Sequence, residues 1–190
     1  MSRTVEVRSS QATRDVLARL HDRTIVAVLV PNNEAGMQSF SSALVRFSTG
    51  SDVLFYVEAA ELSLAADTAA EFFVIGAQRV ADDGLKMTQW PNGPPIMWTP
   101  RYAHLLATAI TGVSILRSTD SVTTAEGGSV VAVRVDGGVV VEFGAHRLVI
   151  RATDVMPMTM NIALCRGDLA KSQDEVEEPI AIRSCSAAVE

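Results

Sequence analysis

The sequence predicts an α+β fold with two helices packed on antiparallel sheets, and three observations carry that expectation. Apolar side chains recur at three- and four-residue spacing in two segments, residues 37–47 and 102–113, as on one face of a helix. Short runs rich in Val, Ile and aromatic residues lie around both segments, and these are strand formers. The links between those runs are too short for crossover helices, so neighbouring strands should pair antiparallel.

Residues 1–23 are polar and Arg-bearing and read as an N-terminal extension, with Val16, Leu17 and Leu20 able to form a short amphipathic turn of helix. A buried strand is expected at 25–30, closed by Pro31, after which Asn32 or Asn33 can cap a helix. Met37, Phe40, Leu44 and Phe47 give that first helix its apolar stripe, and Gly50 stands where it should stop. Strands follow at 53–57, 61–65 and 71–77. Residues 79–95 form a long connection with short strands expected at 86–89 and 96–98.

Thr99-Pro100 suits a second helix start, since Thr caps and Pro tolerates the first helical position. Tyr102, Leu105, Leu106, Ala109 and Val113 form its inward stripe. Four strands are then expected at 122–125, 130–135, 139–143 and 147–151, split by Gly127-Gly128, Asp136-Gly137-Gly138 and Gly144. Asp-Gly between two Val-rich runs is a strong hairpin signal. Residues 155–178 read as a linker. The order is βαβββ, a loop with a strand, then αββββ.

The chain has 190 residues, 48% of them apolar, enough for one domain with its own core. No apolar run reaches the roughly 18 residues of a membrane-spanning helix, and the charged lead has no apolar signal-peptide core. Cys165 and Cys185 are the only cysteines, too few for a disulfide scaffold or a zinc site, so a reducing compartment is expected. A net charge of -6 disfavours a protein that coats nucleic acid, which needs clustered Lys and Arg.

No catalytic or metal-binding pattern emerges. The carboxylates Glu58, Glu61, Asp67 and Glu71 could pair as acid and base, but alternating strand positions usually face water. HxxxH, HExxH and CxxC spacings are missing. Gly112-Val113-Ser114 lacks the Gly-x-Ser-x-Gly elbow of a Ser nucleophile, and the Gly pairs lack the Lys of a phosphate loop. No enzyme activity, cofactor or metal is expected.

Three stretches carry a family resemblance: MQSFSSALVRFSTGSDVLFYVEAAELSLAADTAAEFFVI, TPRYAHLLATAITGV and VVAVRVDGGVVVEFGAHRLVI. Their order resembles one domain of the DNA sliding clamps, the rings typified by proliferating cell nuclear antigen. The cadence of the third is most like a subunit of the nine-one-one checkpoint clamp. The resemblance covers residues 24–154 as a clamp-like domain. It makes 155–178 a connector and 179–190 the start of a truncated second domain, since a clamp subunit of this type carries two.

The resemblance implies a non-catalytic nuclear subunit of a heterotrimeric ring that encircles double-stranded DNA and tethers repair or checkpoint signalling proteins. On that reading Arg46, Arg101 and His104 face the DNA backbone, without reading sequence. The strand His146–Ala152, with His146, Arg147, Leu148, Val149, Ile150 and Arg151, would be the edge that pairs with another subunit; an edge covered by residues 155–165 is the competing reading. Trp90 and Trp98 could anchor a partner or pack on the core. The helices that should face DNA are poor in Lys and Arg, a departure from the family. Two rivals stay open: a small α+β enzyme or ligand-binding domain with residues 79–95 as a lid, and an adaptor or immunity-type interaction module.

Overall fold

Among the described residues, both segments expected as helices run as strands. In the computed structural model, which describes residues 4–65, 68–80, 95–103, 108–124, 130–153, 158–167 and 175–181, strand β1 (Thr4–Val7) leads into a short helix, α1 (Gln11–Leu17). Then come β2 (Ile25–Pro31), one 3-10 turn (Asn32–Glu34), β3 (Ser39–Phe40) and β4 (Ser42–Phe47). A long hairpin follows, β5 (Asp52–Ala65) and β6 (Thr68–Val80), and then β7 (Trp98–Ala103). A second long hairpin pairs β8 (Ile110–Thr123) with β9 (Val130–Phe143), and β10 (His146–Ala152), β11 (Met160–Arg166) and β12 (Val176–Pro179) complete the order. The α+β expectation is therefore corrected: this is an antiparallel β-protein in two sheets, with α1 its single α-helix among the described residues.

The first stripe misleads because it mixes two sheet faces. Ala43, Val45 and Phe47 are buried in the core that both sheets share, whereas Leu44 is buried in a separate cluster with Leu29 and Leu54. A strand buried on both faces presents apolar residues at every spacing, including three and four. Gly50 (φ 77°) makes the turn into β5, where the Arg23 guanidinium donates to the Thr49 and Ser51 carbonyls. The second stripe fails differently. Thr99 and Pro100 lie in β7, an edge strand, where a residue without an N–H is tolerated. The β-branched run Ile110, Thr111, Val113, Ile115 extends β8; residues 104–107 lie outside the described residues.

The seven-stranded sheet runs β12-β8-β9-β10-β11-β3, with β1 added in parallel to β9, and the five-stranded sheet runs β6-β5-β4-β2-β7. Val28, Val45 and Phe55 of the smaller sheet pack against Val139, Leu148 and Ile150 of the larger. A second apolar cluster joins the distal halves of the two hairpins, Phe72 and Val74 against Val131, Val133 and Val135, with Val7 of β1.

Two further expectations change. β10 is no edge, because it pairs with β9 on one side and β11 on the other. The strand that covers it comes from residues expected as linker: Met160 and Ile162 of β11 are buried core residues. And Asp136-Gly137-Gly138 makes no hairpin, since β9 continues through it with a register shift opposite Arg117. Gly138 has a packing reason instead: a Cβ there would lie 2.8 Å from the Ile150 carbonyl oxygen. Residues 4–20, read as an extension, are built in, with Leu17 and Leu20 in the shared core.

Candidate docking cleft

The two long hairpins leave a cleft of about 550 Å³ between β6 and the outer part of β8 and β9. Its walls are residues 70–73 of β6, Leu116, Ser118 and residues 120–122 of β8, Val135 and Gly137 of β9, the end of β10 at Arg151 and Ala152, and Glu175. A strand seen face-on presents every second side chain. Here four successive residues of β6 and three of β8 line the same space, so the strands border it edge-on.

The backbone of β6 shows which groups face outward. Farther along the same side, the Ser9 hydroxyl donates to the Ile75 carbonyl at 2.8 Å, and the Ala77 N–H donates to the Thr13 hydroxyl at 3.1 Å. Residues of the same parity, Ala69, Glu71 and Phe73, direct their N–H and C=O toward that side too. β6 ends its sheet, and among the described residues no strand pairs with its outer edge. Across the cleft, β12 covers β8 only at Ser114–Arg117 by register. Beyond that point the outer side of β8, through Ser121 and Thr123, carries no strand among the described residues.

Among the described residues, the charged side chains at the rim are Glu71, Asp120, Glu175 and Arg151. Arg151 donates to Glu175 Oε2 at 2.8 Å. It passes over Gly138, the residue it pairs with on β9, where an added Cβ would lie 3.2 Å from its Cγ. On the same sheet Arg147 bridges Glu142 and Glu177 at 2.8 and 2.6 Å. These guanidiniums hold β12 against the sheet.

The residues expected to face DNA are not gathered. Arg46 lies on β4, 3.2 Å from Asp52. Arg101 lies on β7 with its guanidinium 5.5 Å from the Phe40 ring centre, and β2 stands between those two strands. His104 lies outside the described residues. His146, Arg147, Leu148, Val149, Ile150 and Arg151 form an interior strand, with Leu148 and Ile150 fully buried. Of the four carboxylates, Glu61 and Glu71 sit directly opposite each other across β5 and β6, Glu58 lies farther along β5, and Asp67 is outside the described residues. Trp98 packs beside Leu29 and Leu54 on the outer face of the small sheet, and Trp90 lies outside the described residues.

Sequence reading missed one cluster. Asp136, fully buried, accepts from the Ser9 N–H at 3.0 Å, from Arg14 at 2.6 Å and from Arg117 at 3.0 Å. Arg117 also reaches Glu178 at 2.6 Å. This network ties β1 and α1 to β9, β8 and β12 in one place. Its signal was an Asp inside a long Val-rich run, which a hairpin reading absorbs.

Among the described residues no three His, Cys, Asp or Glu side chains are close enough to share a metal ion. No family model, no curated protein and no solved structure matches the chain.

Proposed function

We propose that this chain is a tethering subunit that holds another protein by strand addition in the cleft between β6 and β8. The observation that carries this reading is the pair of outward-facing backbone positions at Glu71 and Phe73, which border a cleft of about 550 Å³ at the open edge of β6. Strand addition takes its affinity from main-chain hydrogen bonds and its specificity from alternate side chains. Tethering was also the role expected from the sequence; its DNA-encircling form rested on two helices, and the described residues of those segments lie in strands.

The test is a selection of linear peptides from a random library against the folded chain, followed by affinity measurement. Selected peptides should lose at least roughly tenfold in affinity on Glu71→Pro, which deletes one outward N–H and leaves the β5 pairing of β6 in place. Methylating alternate peptide nitrogens should abolish binding to the unaltered protein. Peptides that bind equally well after both changes would sink the proposal.

A further inference from the structure

We infer that β12 is a removable strand, and that its seat on β8 is a docking site for an acidic extended segment of another protein. This goes beyond the cleft reading and does not rest on it. β12 is four residues long and pairs with Ser114–Arg117 of β8. None of its residues is buried and Val176 is 65% exposed, so hydrophobic burial does little to hold it. Ile180, just past it, adds a half-buried contact with the shared core and donates its N–H to the Val113 carbonyl. The acidic side chains of this segment are gripped from both faces, as alternate strand positions allow. Glu177 lies 2.6 Å from Arg147 and Glu175 lies 2.8 Å from Arg151. Glu178 lies 2.6 Å from Arg117 and 4.0 Å from Arg14.

Those arginines do not depend on β12. Arg147 keeps Glu142 at 2.8 Å, and Arg117 and Arg14 keep Asp136 at 3.0 and 2.6 Å. The Arg151 side chain is 34% exposed and reaches water. Departure of β12 therefore leaves no buried guanidinium without a partner, the penalty that locks most buried ion pairs in place. It uncovers a strand edge beside four guanidiniums. An incoming strand takes its affinity from that edge, and the guanidiniums select for carboxylates on it. A segment longer than β12 also gains pairing past Arg117, where the outer side of β8 carries no strand among the described residues. The β12 of a second copy makes only the contacts of the resident strand and loses the freedom of a separate molecule besides. The occupant is thus a foreign chain.

The experiment titrates a peptide with the sequence of residues 174–181 into two forms of the full chain, the unaltered one and one carrying Glu177→Gln and Glu178→Gln. The resident strand competes as a tethered ligand, so the peptide should bind the variant at least roughly tenfold more tightly. A peptide carrying Glu175→Gln, Glu177→Gln and Glu178→Gln should bind at least roughly tenfold more weakly, with a margin that shrinks as salt rises. General attraction would give the opposite preference, because a chain of net charge -6 repels an acidic peptide. In the unaltered chain the amides of β12 should exchange hydrogen faster than those of β9 and β10, a readout that needs no variant to fold. Absence of binding, equal affinity for both chains or of both peptides, or a β12 protected as fully as β10 would overturn the inference. Loss of peptide binding on Glu71→Pro would also overturn it, by moving the peptide to the cleft. A strand-exchanged dimer that excludes the peptide would overturn it in favour of a second copy.

Discussion

Arg14 and Asp136 lie 122 residues apart in sequence, and the guanidinium of one donates to the carboxylate of the other at 2.6 Å. The carboxylate is fully buried and also receives Arg117 and the Ser9 N–H. Removing one partner of a buried ionic network leaves uncompensated charge in a poorly solvating place. Asp136→Ala should therefore cost about 3–5 kcal/mol, read by urea denaturation. Hydrogen exchange should quicken first at Ala132–Val135, where β1 pairs.

Gly138 and Gly36 give opposite expectations for the same kind of change. A Cβ at Gly138 would meet the Ile150 carbonyl at 2.8 Å and Leu116 Cβ at 3.2 Å, whereas nothing lies within 4 Å at Gly36. Gly138→Val should lower stability by about 1–3 kcal/mol through overpacking. Gly36→Ala should stay within about 0.5 kcal/mol of the parent. Thermal melts of the two variants side by side check both.

β10 supplies a third test. Because Leu148 and Ile150 are fully buried between β9 and β11, truncating either to Ala should destabilise the whole fold by about 2–5 kcal/mol. An edge strand that pairs with a partner would instead lose association and keep its melting temperature. Calorimetry on the isolated chain separates the two.

Tyr56 gives a pH prediction. Burial of its ring, reinforced by a hydrogen bond to Glu58, pushes the phenol up to about 12. An unfolded Tyr ionises near 10, so the neutral phenol is favoured by folding. That contribution is fully present below about pH 10 and is lost as pH rises through about 12. Ultraviolet titration of a Tyr102→Phe variant, which leaves Tyr56 as the one tyrosine, should show phenolate appearing late, and Glu58→Gln should bring it earlier.

The strand content of this chain was readable where one period dominates. Residues 25–30 were read from an unbroken β-branched run and are β2; of the three runs placed as antiparallel neighbours, 53–57 and 61–65 are one continuous strand, β5, and only 71–77 pairs antiparallel to it, in β6. The two helices were misread because residues 43–45 are buried on both faces and because Pro100 sits on an edge. Local pattern records which residues are apolar, and tertiary contacts decide which side of the chain uses them. The linker reading of 155–178 failed for a related reason. Met160 and Ile162 are core residues in a segment whose composition is irregular. The cleft was illegible altogether, since it depends on which strands end their sheets, and of its rim only Glu71 and Arg151 had been singled out, each for an unrelated reason. Asp136 was visible as a residue but not as the meeting point of Arg14, Arg117 and Ser9.

One side of β9 is shared by two neighbours, β1 against Ala132 to Val135 and β10 against Gly138 to Phe143. On the ribosome this imposes an order of events. Residues 4–7 are made before β9, the strand they dock on, so β1 must wait for the second long hairpin before it has a place. Closing so long a loop is an entropic cost met before any contact rewards it, and folds dominated by such distant pairings assemble slowly. A segment made well before its partner is thus among the last to be secured, and chaperone occupancy of nascent chains should persist until β9 has cleared the exit tunnel.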